Sequence, residues 1–179
     1  MRELTDAARL DRFMRELARA ARSAANVYLT GGASAVLLGW RATTLDVDLK
    51  LVPDNDELLR AIAKLKDELR LNVELAAPDQ FLPPLPQWRE RSVFIARHDP
   101  LSFFHYDFYA QSLAKIEREH PQDRLDVESM RAGGLIQREQ LLGLFAAIEP
   151  ELYRFPAVDA KDLRRRLEEL VNSPSWTAA

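Results

Sequence analysis

Apolar residues recur along the chain at helical or at alternating spacing, and these two periods divide it into elements. Helical spacing predicts helices over 5–23, 54–69, 112–119, 123–130, 138–148 and 159–171, with a short helix over 33–38. Apolar runs and alternation predict strands over 27–29, 45–52, 71–76, 92–97 and 101–108. Prolines at 78, 83, 84 and 86 predict an ordered loop between two of these strands.

The order of these elements indicates the fold class. Helices and strands alternate through the first half, two further strands follow, and the rest is helical. This order favours an α/β (α+β) protein with a mixed sheet flanked by helices and with additional C-terminal helices. We expect a single domain over 1–179, with a core at about 24–110 and a helical C-terminal part at about 111–173.

Composition and charge exclude several function classes. The net charge of −3 gives no overall basic signature for nucleic acid. The chain has no cysteine, which excludes disulfides, thiol catalysis and thiolate metal sites, and its histidines are too scattered to suggest a zinc motif. The charged N-terminus does not resemble a signal peptide, and no apolar run is long enough for a membrane helix. We therefore expect a cytoplasmic protein with no membrane partner.

Two carboxylates stand two residues apart in the predicted strand over 45–52. Asp46 and Asp48 alternate with Leu45, Val47 and Leu49. Alternate residues of a strand share a face, so both aspartates should point the same way. Like charges so close together repel each other, and a bound divalent cation would relieve that cost. The alternative is an ordinary strand with one polar, solvated face.

A glycine pair, Gly31 and Gly32, follows the strand predicted just before. Glycine lets the backbone approach a ligand closely, and the start of a following helix favours phosphate. The alternative is a tight strand-to-helix turn, and neither a P-loop nor a GxGxxG motif is present. Neighbouring strands would bring this turn and the two carboxylates to one edge of a sheet. Hard oxygen ligands there favour Mg²⁺, which binds through few carboxylates plus substrate phosphates.

The stretch TGGASAVLLGWRATTLDVDLKL, residues 30–51, resembles the signature of the DNA-polymerase-beta-like nucleotidyltransferases. The whole chain is most similar to uncharacterised bacterial members and to the abortive-infection toxin type. The resemblance implies a polymerase-beta-like core that transfers a nucleoside monophosphate from a nucleoside triphosphate to an acceptor hydroxyl. The acceptor would be a tRNA or other RNA end, a protein or a small molecule. Asp46 and Asp48 would hold two Mg²⁺ ions, with Mn²⁺ as the alternative ion.

Families of this kind usually carry a third acid on the next core strand. Glu74 is the only acid in LNVELA, the matching strand, and it could accept the proton of the attacking hydroxyl as well as bind metal. Asp107, in FHYDFY, is the rival. We expect Glu74 to complete the catalytic set.

The resemblance also implies a nucleotide-binding set. Near the signature this set consists of Gly31, Gly32, Ser34, Arg41 and Thr44, although Arg41 lies one residue further from the first aspartate than in the toxin-type motif. Further along, YAQSLAKIEREHPQDRLDVESM resembles a toxin-type segment that has a lysine, an arginine and two acids. It adds Lys115, Asp123 and Asp126. For these last residues the alternative is a salt bridge between two helices.

Two functions from different classes remain open on the sequence. The first is the two-metal transferase, in which the acids activate the acceptor and stabilise the leaving pyrophosphate. The second is a catalytically inactive binding module that keeps the fold as an antitoxin-like partner or a nucleotide sensor. A cognate toxin or antitoxin would then be its partner.

Overall fold

The strands of the protein form one sheet in the computed structural model, which describes residues 3–177. They are β1 (Ala25–Thr30), β2 (Asp46–Val52), β3 (Asn72–Glu74), β4 (Val93–His98) and β5 (Leu101–His105). Their order across the sheet is β3-β2-β1-β5-β4. β1 is antiparallel to β2 and parallel to β5, β2 is parallel to β3, and β4 is antiparallel to β5. The sheet is therefore mixed, and the predicted α/β class with a mixed sheet flanked by helices is confirmed.

Apolar residues on one face of this sheet form the core with three helices, α1 (Ala7–Ala20), α2 (Gly31–Leu37) and α3 (Asp56–Glu68). Strand alternation sends every second residue into this core, and the fully buried positions include Val27, Leu29, Val47, Leu49 and Phe103. Each such side chain contributes about 1.5–3 kcal/mol when buried. The residues between them lie on the opposite face, which carries polar side chains as well as the stacked rings of Tyr28 and Phe104.

The remaining elements of residues 3–177 are α-helices or 3-10 helices. They are a 3-10 helix (Pro78–Gln80), α4 (Trp88–Arg91), α5 (Phe108–Arg118), α6 (Pro121–Ala132), α7 (Arg138–Ile148), a second 3-10 helix (Glu149–Arg154), α8 (Ala160–Val171) and α9 (Pro174–Thr177). The proline-rich stretch, predicted as a loop, thus contains a 3-10 turn and one turn of α-helix. The second 3-10 helix and α9 were not predicted.

Contacts divide the chain into two compact units. One contains the chain up to Ala77 together with Ser92–Tyr106, and the other contains Pro78–Arg91 together with the chain from Asp107 onward. The first unit holds the whole sheet, and the second holds α4 to α9. The single-domain organisation, with a core at about 24–110 and a helical part at about 111–173, stays a prediction.

Side-chain caps set several helix ends. Asp6 accepts a hydrogen bond from the backbone N–H of Arg9 and caps α1, which begins at Ala7. Asn55 caps α3 by accepting from the backbone N–H of Leu58, so this helix begins at Asp56 rather than at residue 54 as predicted. Within residues 3–177, none of the helices has both the length and the apolar character needed to cross a membrane.

Candidate functional site

The acids of β2 and β3 lie on one face of the sheet. Asp46 and Asp48 are half-buried and alternate with the fully buried Val47 and Leu49. In the parallel ladder, Asp46 is opposite Asn72 and Asp48 is opposite Glu74. Residues opposite each other in a ladder share a face. The structure therefore places Glu74 on the same face as both aspartates, and its catalytic role stays a prediction.

The glycine turn lies directly against this acidic face. Thr30, the last residue of β1, pairs with Asp48 in the antiparallel ladder, and α2 begins at Gly31. Gly31 has a φ of 58°, and a Cβ on it would lie 3.0 Å from Oδ2 of Asp48. A side chain at this position would therefore be strained and would crowd the carboxylate. The absence of a side chain lets the turn and the acid approach each other.

Thr44 leaves no room for a side chain at Gly32, the second glycine of the turn. A Cβ on Gly32 would lie 2.0 Å from Oγ1 of Thr44, so nothing larger than glycine fits. The Thr44 hydroxyl donates to the backbone carbonyl of Asp46, and its backbone pairs with Thr5 in an isolated antiparallel bridge. Thr44 is buried. It therefore ties the glycine turn to the start of β2, and its predicted contact with nucleotide stays a prediction.

Ser34 and His105 support the turn from within the core. The fully buried Ser34 hydroxyl donates its one proton to the carbonyl of Leu29, at 3.1 Å. The Ser34 oxygen therefore acts as the acceptor towards Nδ1 of His105, which lies 2.9 Å away and donates to it. Tyr106 N also donates to the Leu29 carbonyl. This bonding gives Ser34 a structural role beneath the turn, and its predicted contact with nucleotide stays a prediction.

Stability should depend on pH through His105. Burial lowers the pKa of this imidazole from 6.5 to about 4. Between these values the unfolded chain binds the proton and the folded chain does not, so stability is complete above pH 6.5 and is lost as the pH falls. From pH 7 to pH 5 we expect a loss of about 2 kcal/mol from this group in urea unfolding. The loss should disappear in His105→Gln and persist in His120→Gln, and an unchanged pH profile in His105→Gln would contradict the assignment.

Arg41 follows α2. Its backbone N–H donates to the carbonyl of Ala35 at 3.3 Å, and the residue is half-buried. These contacts place its backbone in the same unit as the acidic face. Its predicted contact with nucleotide stays a prediction.

Asn72 joins two of the acids through its side-chain amide. Its Nδ2 donates to Oδ1 of Asp46 at 2.5 Å and to Oε1 of Glu74 at 3.1 Å. Across residues 3–177, no three aspartate, glutamate or histidine side chains are gathered closely enough to hold a metal ion. The acidic face therefore offers carboxylates that share one side of the sheet, with an amide nitrogen bonded to two of them.

Asp107, the rival third acid, belongs to the other unit and has structural partners there. It is fully buried and caps α5, its Oδ1 accepting from the backbone N–H of Tyr109. Its Oδ2 accepts from Nη2 and Nε of Arg91, at 2.6 and 3.1 Å. Burial raises the pKa of Asp107, and the Arg91 bonds offset only part of that rise. These bonds explain the residue without a catalytic role.

Lys115 forms the salt bridge that the sequence left as an alternative. Nζ of Lys115 lies 3.1 Å from Oδ1 of Asp123 and 2.6 Å from Oδ2 of Asp126, so α5 and α6 are joined through buried charges. Arg118 donates to both oxygens of Asp123. Burial raises the pKa of Asp123, but the bonds from Arg118 and the charge of Lys115 outweigh burial and the net pKa is lowered.

A cavity of about 300 Å³ lies beside this salt bridge, and Lys115 and Asp123 form part of its lining. Charged side chains of α8 and of the end of α5 also line it, and Arg166 pairs there with Glu119 at 3.1 Å. Contact of Lys115, Asp123 and Asp126 with a nucleotide stays a prediction.

Three residues that hold the turn or the acids in place were not singled out from the sequence: Asn72, Arg91 and His105. Asn72 could have been found, because it precedes Glu74 by two residues on one strand and alternation puts both on one face. Arg91 meets its partner 16 residues along the chain and His105 meets its partner 71 residues away, and no local pattern indicates either.

Comparison with known proteins adds one match. A family model described as a nucleotidyltransferase of unknown function (DUF6036) matches residues 6–173. No curated protein and no solved structure matches the chain. The matched range includes the glycine turn, the acidic face and the buried salt bridge. The chain therefore belongs to this nucleotidyltransferase family of unknown function.

Proposed function

We propose that this protein transfers a nucleoside monophosphate from a nucleoside triphosphate to an acceptor hydroxyl, through a core of the DNA-polymerase-beta-like type. The observation that carries the proposal is the contact between turn and acid. Oδ2 of Asp48 lies 3.0 Å from the Cβ position of Gly31, on the face that also bears Asp46 and Glu74. A phosphate chain at the turn would lie beside the carboxylates. The family match supports the reaction class.

The donor set suits Mg²⁺, with Mn²⁺ as the alternative. Mg²⁺ binds through one or two carboxylates plus substrate phosphates, so Asp46 and Asp48 fit it without a closed cage of protein ligands. Two such ions, when bound, would neutralise charge on the phosphates and favour ionisation of the acceptor hydroxyl. Glu74 is exposed and could join the set from β3.

The proposed reaction breaks one bond and forms one. The acceptor oxygen bonds to the α-phosphorus, the bond from that phosphorus to the oxygen bridging to the β-phosphate breaks, and pyrophosphate leaves with the electron pair. Glu74 takes the proton of the acceptor hydroxyl. The residues of the turn and the acidic face hold the triphosphate and the acceptor in line, and most of the rate comes from this positioning and from charge neutralisation.

Labelled nucleotides test the proposal. We expect the protein with Mg²⁺ to move label from an α-labelled nucleoside triphosphate into one acceptor among the protein itself, total tRNA and a cell extract. Label at the γ-position should not be transferred, and EDTA should abolish transfer. Transfer of γ-label instead would mean a phosphoryl transferase and would contradict the proposal.

The second candidate is a binding module without turnover, acting as a nucleotide sensor or as one member of a toxin–antitoxin pair. It is favoured by the spacing of the acids, because within residues 3–177 no three aspartate, glutamate or histidine side chains lie close enough together to hold a metal ion. No transfer with any nucleotide, together with measurable nucleotide binding in equilibrium dialysis, would support this candidate.

A further inference from the structure

Asn72 occupies a particular place in the acidic face. It begins β3, opposite Asp46 in the parallel ladder, and Glu74 follows two residues later on the same face. One nitrogen, Nδ2, donates to Oδ1 of Asp46 at 2.5 Å and to Oε1 of Glu74 at 3.1 Å. Its two N–H bonds are therefore directed at oxygens of two different acids.

We propose that Asn72 is a positioning residue that sets the affinity of the acidic face for its divalent cation. The inference rests on the proposed function, since it presumes that this face binds a cation. Asn72 acts through Asp46 and Glu74 and does not itself touch the substrate. Its amide draws Glu74 towards Asp46.

Without the amide, two effects oppose cation binding. The carboxylates of Asp46 and Glu74 repel each other, so their lowest-energy rotamers separate. Glu74 is exposed and its long side chain has many rotamers, which the cation would have to restrict on binding. A hydrogen-bond donor that already orients both acids removes part of both costs. Groups that orient metal ligands in this way typically change metal affinity by about 10- to 100-fold when removed.

The sheet offers a matched control on the same face. Asn26 in β1 lies opposite Val52 in β2, and its Nδ2 donates to the Tyr28 hydroxyl at 3.5 Å. It is an asparagine on a strand of the same sheet, and its side chain bonds a tyrosine rather than an acid. Replacing it should therefore leave cation affinity unchanged.

A binding titration with Mn²⁺, in which free Mn²⁺ is measured by electron paramagnetic resonance, tests the proposal without any turnover. We expect the Kd to rise by about 10- to 100-fold in Asn72→Ala and in Asn72→Leu. The leucine variant keeps most of the volume and removes the donor, so agreement between the two assigns the effect to hydrogen bonding. Asn26→Ala should bind as the wild type does. Circular dichroism and thermal melting establish that each variant is folded.

The outcomes separate this inference from the proposed function. An unchanged or lower Kd in both Asn72 variants overturns the inference, and a lower value would mean that the amide competes with the cation. If Asp46→Asn abolishes Mn²⁺ binding while the Asn72 variants do not alter it, the cation site stands and only the role of Asn72 fails. If the wild type takes up no Mn²⁺ with or without a nucleoside triphosphate, both proposals fail.

Discussion

Replacing Asp48 by asparagine should lower nucleotidyl transfer by about 1,000-fold or more, which corresponds to about 4 kcal/mol of transition-state stabilisation. Asparagine keeps the shape of the side chain beside Gly31 and removes its charge. The lost charge is the one that would hold a cation beside the triphosphate. Initial rates with the labelled nucleotide and acceptor, measured for the two proteins under saturating Mg²⁺, give the ratio.

The same substitution should leave the protein folded. Asparagine has the size of aspartate, and neutralising one of the two like charges on this face of β2 removes their repulsion in the metal-free protein. We expect a cooperative thermal transition with a midpoint close to that of the wild type. Asp54→Asn is the matched control, because Asp54 follows the same strand and is exposed, and its activity should be unchanged. Wild-type activity in Asp48→Asn would show that the carboxylate is dispensable, and lost activity with a lowered midpoint would assign the loss to folding.

Replacing Lys115 by methionine should lower the free energy of unfolding by about 3–5 kcal/mol. The lysine side chain is 7% exposed, and the substitution removes a cation that lies within 3.1 Å of two buried carboxylates, those of Asp123 and Asp126. Arg118 remains on Asp123, but Asp126 keeps a buried negative charge without its closest cation. Urea unfolding at neutral pH measures the loss.

A matched control and a double variant separate this cost from other causes. Lys64→Met changes a lysine that is 74% exposed and pairs with Glu68 at the surface, so the expected change is within about 0.5 kcal/mol. Lys115→Met combined with Asp126→Leu should recover part of the stability, because removing both partners leaves no uncompensated charge. If Lys115→Met unfolds like the wild type but binds nucleotide more weakly, the lysine acts on the ligand rather than on the fold.

The acidic face could be predicted from the sequence because its signals are local. Alternation along β2 places Asp46 and Asp48 opposite the buried side chains of the same strand, and a second short strand supplies Glu74. The depth of the Lys115 salt bridge could not be predicted in this way. Helical spacing shows on which side of α5 Lys115 lies. Its charge is buried only because α6 packs against that side, and the spacing does not indicate this packing.

The start of α5 shows how one side chain can override a pattern. The aromatic residues of FHYDFY favour a strand, and the predicted strand ran to residue 108. In the structure β5 ends at His105, because Asp107 accepts from the backbone N–H of Tyr109 and α5 begins at Phe108. Aspartate is preferred at the residue before a helix, so the sequence did contain a signal for this helix start. The aromatic residues around it gave a stronger signal for a strand.

The environment of the glycine pair affects how other chains with this signature should be interpreted. A side chain at position 32 would collide with the Thr44 hydroxyl, and one at position 31 would crowd the Asp48 carboxylate. Contacts within the protein therefore explain both glycines without any ligand. A homologue without Asp46 would still need Gly32 as long as it kept Thr44. The glycine pair is therefore a marker of architecture, and under the proposed mechanism the acids rather than the glycines would distinguish active members from inactive ones.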